Sequence, residues 1–557
     1  MILRVFILGA FLAGAAALDA TVAGAPVRLN SIGFPPDAPK RATVVVPDGA
    51  SATEFTLRRA GTEEVVWRGQ LGPTVRSAAT DTDETVRVAD FSAFREAGRY
   101  QVDVPGAGRS PEFVIARDAW NEAYGLVARG LTLWRCGSPT GVHGEWRGQV
   151  FAHGPCHLED GWLDHAGGGH VRRSATGGWH DAGDYNKYIV NAGYSLGLLF
   201  KAWEHFRPRI ERVALDLPAA ERANTVPDLL DEMRWELDWF FTMQAEDGRV
   251  HHKLSQLDFR YWGAPDQDVT PRYFTTWSTN ATAHFVAVMA MAARHYAEFD
   301  AAFAERCLAA ARRSWACLER HPENVKPEQE AFKTGAYDVP DAAGRLWAAA
   351  EMWATTRDPK FLAEFERRAA KEEFTLRGPT WGDVRDFGLA TYLENDAAGR
   401  DAQLVARLRS QLLAQADRIV AVAGAHPYGR PLGGEAGTWY WGANGDTASQ
   451  TFLLHLANRI QASAERRGAA AHAIGFLLGR NFHGRSYVTG LGYQPPAHPH
   501  DRRGEPAWPG YLVGGGHPTG RSWVDEMADF RQNEIALNWN AALIYALAAF
   551  VEPPSAP

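Results

Sequence analysis

A closed barrel of helices behind a small all-β module is the architecture this chain predicts, and three observations predict it. From Val27 to Ile115 the text runs in short alternating stretches such as Ala42–Val46, Phe55–Leu57 and Val86–Val88, broken by Pro, Gly and Asp. From Ala116 to about Val551 it changes to helix-length segments with helical spacing of apolar residues or high helix propensity. Those segments number about a dozen and are joined alternately by short turns and long Gly/Pro/aromatic loops, which suits a closed ring with the long loops on one face.

In chain order, Met1 to about Ala25 carries Arg4, an apolar run from Val5 to Leu18 and small residues at Ala20, Ala23 and Ala25. That pattern is an export signal, too short for a membrane span, so the mature protein is expected to be soluble in the periplasm or outside the cell. Residues 26–116 read as a sandwich of immunoglobulin type, a structural cap or spacer without a cluster of catalytic side chains. Residues 117–557 then form the helical domain. Helices are predicted near 117–134, 186–206, 226–245, 279–297, 299–320, 341–357, 359–374, 383–394, 402–424, 446–462, 466–479 and 533–551. The long loops are 136–184, 247–278, 425–445 and 480–532, and structureless connections of that length usually carry function.

Composition narrows the function. With 557 residues, 46% hydrophobic and 22% charged, the chain has the makings of a packed globular protein. A formal charge of -8, without a Lys/Arg-rich block, argues against nucleic acid as a partner. No later stretch approaches 18 uninterrupted apolar residues, so no membrane contact is expected once the signal is removed, and a monomer is expected. Twenty Trp and sixteen Tyr exceed what a core of this size needs, and flat rings with a polar edge suit sugar stacking, although aromatic-rich helix packing accounts for many of them equally well.

Two acidic constellations stand out. Gly177-Gly178-Trp179-His180-Asp181-Ala182-Gly183-Asp184-Tyr185 sets two carboxylates three residues apart in a Gly-rich segment before a buried helical run, Tyr188 to Leu199. A carboxylate that takes a proton from water works better when a second acid holds that water, so Asp181 and Asp184 suit general-base chemistry. Both are also ordinary turn residues. Far along the chain, Glu534 is expected to open the last helix beside an apolar face of Ile535, Trp539, Leu543 and Leu547. Such a carboxyl either serves the helix dipole or, held among apolar groups, keeps a proton to donate. Between them, His500 and Arg502 offer hydrogen-bond donors in a Pro-stiffened loop.

The segments 178–185, 486–502 and 523–541, in that order, resemble glycoside hydrolase family 9, the inverting cellulases, in its branch with an N-terminal immunoglobulin-like module. Trp439-Tyr440-Trp441-Gly442, Gly479-Arg480-Asn481 and Trp508-Pro509-Gly510-Tyr511 extend the likeness over nearly the whole mature chain. Gln494 departs from it, standing where the family usually has a basic residue or Asn. The resemblance implies an (α/α)6 barrel, a cleft for β-1,4-linked glucan, Asp184 as general base with Asp181 positioning the water, and Glu534 as general acid. It places His500 and Arg502 among the sugar-contacting residues, and Tyr440, Trp441 and Trp508 are chosen as stacking platforms. Endo-acting cleavage is the first expectation. Exo-acting hydrolysis by a glucosidase, cellobiohydrolase or glucosaminidase is the alternative, and a non-catalytic polysaccharide-binding scaffold is a third reading that expects decay at the three acids, all of which are present.

Cys136, Cys156 and His157, followed by His170 and His180, supply more than the four ligands of a tetrahedral Cys2His2 zinc site, and similar members of the family carry a zinc there. Which histidine completes the set is open, His180 could instead support Asp181, and a Cys136–Cys156 disulfide is the competing expectation in an oxidising compartment. Cys307 and Cys317, ten residues apart on one helix, read as buried thiols. Calcium is common in the family and the Thr334–Asp341 loop has oxygen ligands at plausible spacing, though Asp338 and Asp341 also suit helix capping. No organic cofactor is expected.

Overall fold

The alternation of the first ninety residues builds two antiparallel sheets. The computed structural model describes residues 25–46, 52–140, 145–371 and 376–553, so the export signal expected over 1–25 lies outside them but for Ala25. One sheet joins Val27–Arg28, Arg41–Val45, Thr85–Asp90 and Val75–Arg76; the other joins Val65–Gln70, Glu54–Arg59, Gly98–Val104 and Gly108–Arg109, with Phe113–Ile115 on Gly98–Val104. Every second residue points inward, and Phe34, Phe55, Leu57, Phe91, Tyr100, Val102 and Phe113 make the core between them.

Twelve helices of ten residues or more follow among the described residues: α1 (Asn121–Thr132), α2 (Ile189–Ile210), α3 (Asp228–Met243), α4 (Thr279–Tyr296), α5 (Ala301–Arg320), α6 (Ala342–Thr356), α7 (Pro359–Ala369), α8 (Arg385–Glu394), α9 (Ala402–Ala425), α10 (Ala443–Ile460), α11 (Ala464–Leu477) and α12 (Leu537–Ala548). Even-numbered helices form an inner ring and odd-numbered ones an outer ring. Residue pattern decides which. In α12 every side chain from Leu537 to Ala548 is buried, so it has no wet face and must sit inside. In α9 the buried residues are Leu404, Leu408, Leu412, Ala416, Ile419 and Ala423, one stripe at helical spacing, and the remaining faces meet solvent. The inner ring closes through α12 against α2 and α10, α2 against α4, α4 against α6 and α6 against α8. Phe387 of α8 and Phe452 of α10 meet edge to face at 5.5 Å and complete the circle. This is an (α/α)6 barrel.

Helix polarity puts the functional end in one place. Four residues separate α4 from α5, two separate α6 from α7 and three separate α10 from α11, whereas each inner helix is entered from a long connection. The turns into α5, α7, α9 and α11 carry side-chain caps from Asp300, Asp358, Asp401 and Ser463. The long connections are not structureless: Lys187–Tyr188, Lys253–Ser255 and Tyr273–Phe274 pair into a three-stranded sheet across the barrel mouth. Among the described residues no helix is long and apolar enough to cross a membrane.

The sandwich is bolted to the barrel by buried polar contacts. Arg28 reaches the Tyr428 hydroxyl at 2.6 Å and Glu84 at 2.7 Å. Thr43 donates to the Pro427 carbonyl at 2.7 Å and accepts from Arg480 at 3.1 Å. His426 lies 3.1 Å from Asp81.

Candidate active site

Three distant segments are stitched together by their backbones before any side chain acts. Ala182 pairs with Ala536 and His500 with Glu534 as isolated β-bridges. Leu537 N–H donates to the Asp181 carbonyl at 2.8 Å, and Arg502 N–H to that of Gly183 at 3.1 Å. The approach is close enough that a Cβ at Gly183 would stand 2.3 Å from the His500 carbonyl oxygen, which is why glycine sits between the two acids. At Gly178, φ is +74° and a Cβ would press on Trp239 at 2.8 Å, so this turn too needs glycine.

Asp181, Asp184 and Glu534 line one cavity of about 690 Å³ with Tyr188, Phe259, Tyr337, Trp381, Trp441, His500, Arg502, Phe530 and Trp539. Glu534 does not open the last helix. It ends the short turn Phe530–Asn533 in an extended conformation, and α12 begins at Leu537. The pairing of Val513 with Ile535, and the Gly514 N–H donated to the Glu534 carbonyl at 2.9 Å, hold it there instead of letting it continue into the helix. Asn533 fixes the near side, donating to the His498 carbonyl at 2.7 Å and accepting from Trp523 at 3.1 Å.

The three acids sit in different electrostatic surroundings. Asp181 is pushed up to about 8 by burial and by the neighbouring Asp184 carboxylate, against hydrogen bonds from Asn191 and Tyr337, each at 2.7 Å. Burial raises Asp184 as well, but Arg502, a 2.7 Å bond from the Asn186 N–H, and Arg272 favour its ionised form. Glu534 is raised well above the usual carboxylate range by burial and then by Asp184 and Asp181, with Arg502 and the Trp441 indole, donating at 3.1 Å, in opposition. Two carboxyl groups with environments of this kind divide into a base and a proton donor.

Around them, His500 donates from Nδ1 to the Met527 carbonyl at 2.7 Å and meets the Trp262 ring edge-on at 5.1 Å. Arg502 donates to the Tyr261 carbonyl at 3.0 Å and lies over Phe259 and Trp262 at 5.0 and 5.1 Å. Trp441 is half exposed on the cavity wall. Tyr440 is exposed beside it, outside the cavity lining, with its hydroxyl 2.6 Å from Asp446. Trp508 is a correction: it is buried between Arg503 and Phe151 and offers no face for stacking. Phe259 and Trp381 line the cavity instead, and Trp262 is exposed against His500 and Arg502. Sequence reasoning also missed Asn191 and Tyr337. Asn191, a lone amide in an otherwise apolar helical run, was the readable signal; Tyr337 gave none, lying in the loop considered for calcium.

Below the base segment, Cys136, Cys156, His157 and His180 bring four ligand atoms within 4.8 Å of one another. His157 Nδ1 is 3.8 Å from Cys136 Sγ and His180 Nε2 is 3.8 Å from Cys156 Sγ. A zinc tetrahedron with bonds of about 2.3 Å to sulfur and about 2.0 Å to nitrogen has S···N edges of roughly 3.6 Å, so the set fits. Asp268 stands 3.4 Å from His157 Nε2 and fixes the tautomer that leaves Nδ1 free to bind. Burial pushes the Cys136 thiol up, but Cys156, Lys187 and Arg272 outweigh it and hold the group well below its ordinary value. His170 is a correction: it stacks on Trp162 at 4.3 Å, 3.0 Å from Asp164, exposed and outside the cluster. Both cysteines are free, which removes the expected disulfide alternative. Cys307 and Cys317 are buried and free. In the 334–341 loop, where calcium is the expectation, the oxygens have protein partners. Asp338 pairs with Lys326 at 3.1 Å, Asp341 with Arg345 at 2.7 Å, and the Thr334 hydroxyl with Lys253 and Ser255.

Comparison with known proteins agrees with this geometry. The model of glycosyl hydrolase family 9 matches residues 120–547, and that of the cellulase N-terminal ig-like domain matches 22–109. Endoglucanase D of Acetivibrio thermocellus is 45% identical over 540 residues, covering 95% of this chain and 81% of the relative. The xyloglucan-specific endo-beta-1,4-glucanase BoGH9A of Bacteroides ovatus is 32% identical, with 94% and 93% covered. The crystal structure of a metagenome-derived glycoside hydrolase family 9 endoglucanase superposes with a TM-score of 0.87 at 33% identity, covering 94% of this chain and 98% of that one. An (α/α)6 barrel behind an immunoglobulin-like sandwich, three acids on one cavity and a family match over most of its length make this chain a member of glycosyl hydrolase family 9.

Proposed function

We propose that the protein is an exported, inverting, endo-acting β-1,4-glucanase in two units, 26–116 and 117–557, with Asp184 as general base and Glu534 as general acid. The observation that carries the reading is the convergence of Asp181, Asp184 and Glu534 on one aromatic-walled cavity from segments that only the backbone bridges unite. Ionised Asp184 takes a proton from water that Asp181 helps to hold, and that water attacks the anomeric carbon. Glu534, kept protonated by burial and by the charge on Asp184, gives its proton to the leaving oxygen on the opposite face. Inversion requires the two carboxyl groups to stand about 6.5–9.5 Å apart, so that water fits beneath the sugar. Trp441 orients Glu534 through its indole and offers the sugar a ring face. His500 and Arg502 supply donors for sugar hydroxyls.

The Cys136, Cys156, His157 and His180 set would hold a structural zinc. Four protein ligands leave no open position for water, so such an ion pins the 136–180 loop and, through His180, the residue next to Asp181. The deciding experiment is cellohexaose hydrolysis followed by NMR for product size and anomeric configuration. Internal cleavage with inverted configuration is expected; retained configuration defeats the mechanism, and release of monomer alone defeats the endo mode. Equal or faster turnover of xyloglucan oligosaccharides would move the substrate toward that of the Bacteroides ovatus relative.

A further inference from the structure

Lys253 is fully buried, yet no carboxylate among the described residues pairs with it. An ammonium held away from water without a carboxylate depends on the hydrogen bonds it makes to neutral oxygens. Its Nζ donates to the Thr334 hydroxyl at 3.2 Å and to the Gly335 carbonyl at 2.8 Å, and lies 4.9 Å from the Phe332 ring and 5.7 Å from the Tyr188 ring. The strand carrying it is in register with the segment that follows the base loop, Lys253 opposite Tyr188. Thr334 and Gly335 lead directly to Tyr337, whose hydroxyl donates to Asp181 Oδ2 at 2.7 Å. Neighbouring contacts converge on the same stretch: the Tyr188 hydroxyl accepts from the Gly335 N–H at 3.2 Å, and His252 Nε2 donates to the Ala336 carbonyl at 2.8 Å. Burial lowers the Lys253 pKa to about 7, with Asp184 in opposition, so the ammonium is charged through the acid range.

We infer that Lys253 is a positioning residue for the water-activating pair, its ammonium clamping Thr334 and Gly335 so that Tyr337 presents its hydroxyl to Asp181. This rests on the proposed roles of Asp184 as base and Asp181 as holder of the water. The clamp acts through the 334–337 segment and does not touch sugar itself. A loosened segment withdraws the Tyr337 hydroxyl, and Asp181 then holds the attacking water less well.

The test is a double-mutant cycle on kcat for cellohexaose with Lys253→Gln, Tyr337→Phe and the pair, each checked for folding by circular dichroism. Gln keeps a donor, one bond shorter, and removes the charge. Each single variant is expected to lose about tenfold, and the double variant to lose no more than about thirtyfold, because both changes break one linkage. A double variant down by about a hundredfold, the product of independent effects, overturns the inference, as does a Lys253→Gln enzyme within twofold of wild type. Should Lys253→Gln fail to fold, Thr334→Val, which removes one acceptor and leaves the lysine, takes its place in the cycle, and the same fold-changes support or overturn the inference. A wild-type enzyme that leaves cellohexaose intact sinks the proposed function and this inference together, whereas an active wild type with an additive cycle sinks this inference alone.

Discussion

Glu534 and Asp184 differ in what surrounds them more than in what they are. Both carboxyl groups are held above their ordinary range and Arg502 opposes the rise at each, but Arg272 favours the ionised form of Asp184 as well, whereas Glu534 is pushed further up by two other acids. Glu534→Gln is therefore expected to lower kcat on cellohexaose by about 10²–10⁴-fold, the usual worth of a general acid. An aryl cellobioside whose leaving group needs no proton should lose far less, and the ratio of the two rates is the measurement. Asp181 carries a stability consequence. Its folded pKa of about 8 lies above the ordinary 3.8, so its contribution is fully present below pH 3.8 and is lost as pH rises through about 8. Asp181→Asn, which cannot ionise, should raise Tm at pH 7 by on the order of 2 °C and leave Tm at pH 3 unchanged, as scanning calorimetry would record.

Among the connecting segments, contact between the base loop and the 498–502 segment depends on a missing side chain. Gly183→Ala must part the two backbones, since its Cβ would sit 2.3 Å from the His500 oxygen. The expected cost is about 1–3 kcal/mol of stability, with a loss of kcat/KM greater than tenfold because the acids are carried apart. Denaturant melts and steady-state kinetics on one preparation check both. Helices are legible in this chain because twelve apolar patterns have lengths and periods that local chemistry imposes, and α9 and α12 declare their rings by stripe or by total burial. The start of α12 is not, because helix propensity runs on through Asn533-Glu534-Ile535 and points to Glu534 as the first turn. What stops the helix short is the pairing of Ile535 with Val513, a contact between residues 22 positions apart that no local window contains.

For the molecule as a whole, the Cys2His2 cluster adjoins the base segment through His180, and the sandwich is tied to the barrel at Tyr428, Pro427 and Arg480. If the cluster carries zinc, a strong chelator at pH 7 should release one ion per chain and lower Tm by several degrees, with elemental analysis and a melt as the readouts. Cys136→Ser should reproduce the lower Tm without chelator. Activity should fall with the ion, since His180 adjoins Asp181, but no faster than the loop loses order. A melt that the chelator leaves unmoved, with no metal found, would remove the structural ion from the proposal.

Order and type of residue along the chain were enough for the β-to-helix change, the helix count, the acids at 181, 184 and 534, and the resemblance that joins them, because each is written in local period or in motif. Folding alone decided which of five cysteine and histidine side chains gather, that Trp508 is buried while Phe259 and Trp381 line the cavity, and that the 334–341 oxygens meet Lys253, Lys326 and Arg345. Those outcomes depend on direction and distance between residues far apart in sequence. A side chain's chemistry is set by its own atoms, but its employment is set by whatever neighbours the closed barrel brings within reach.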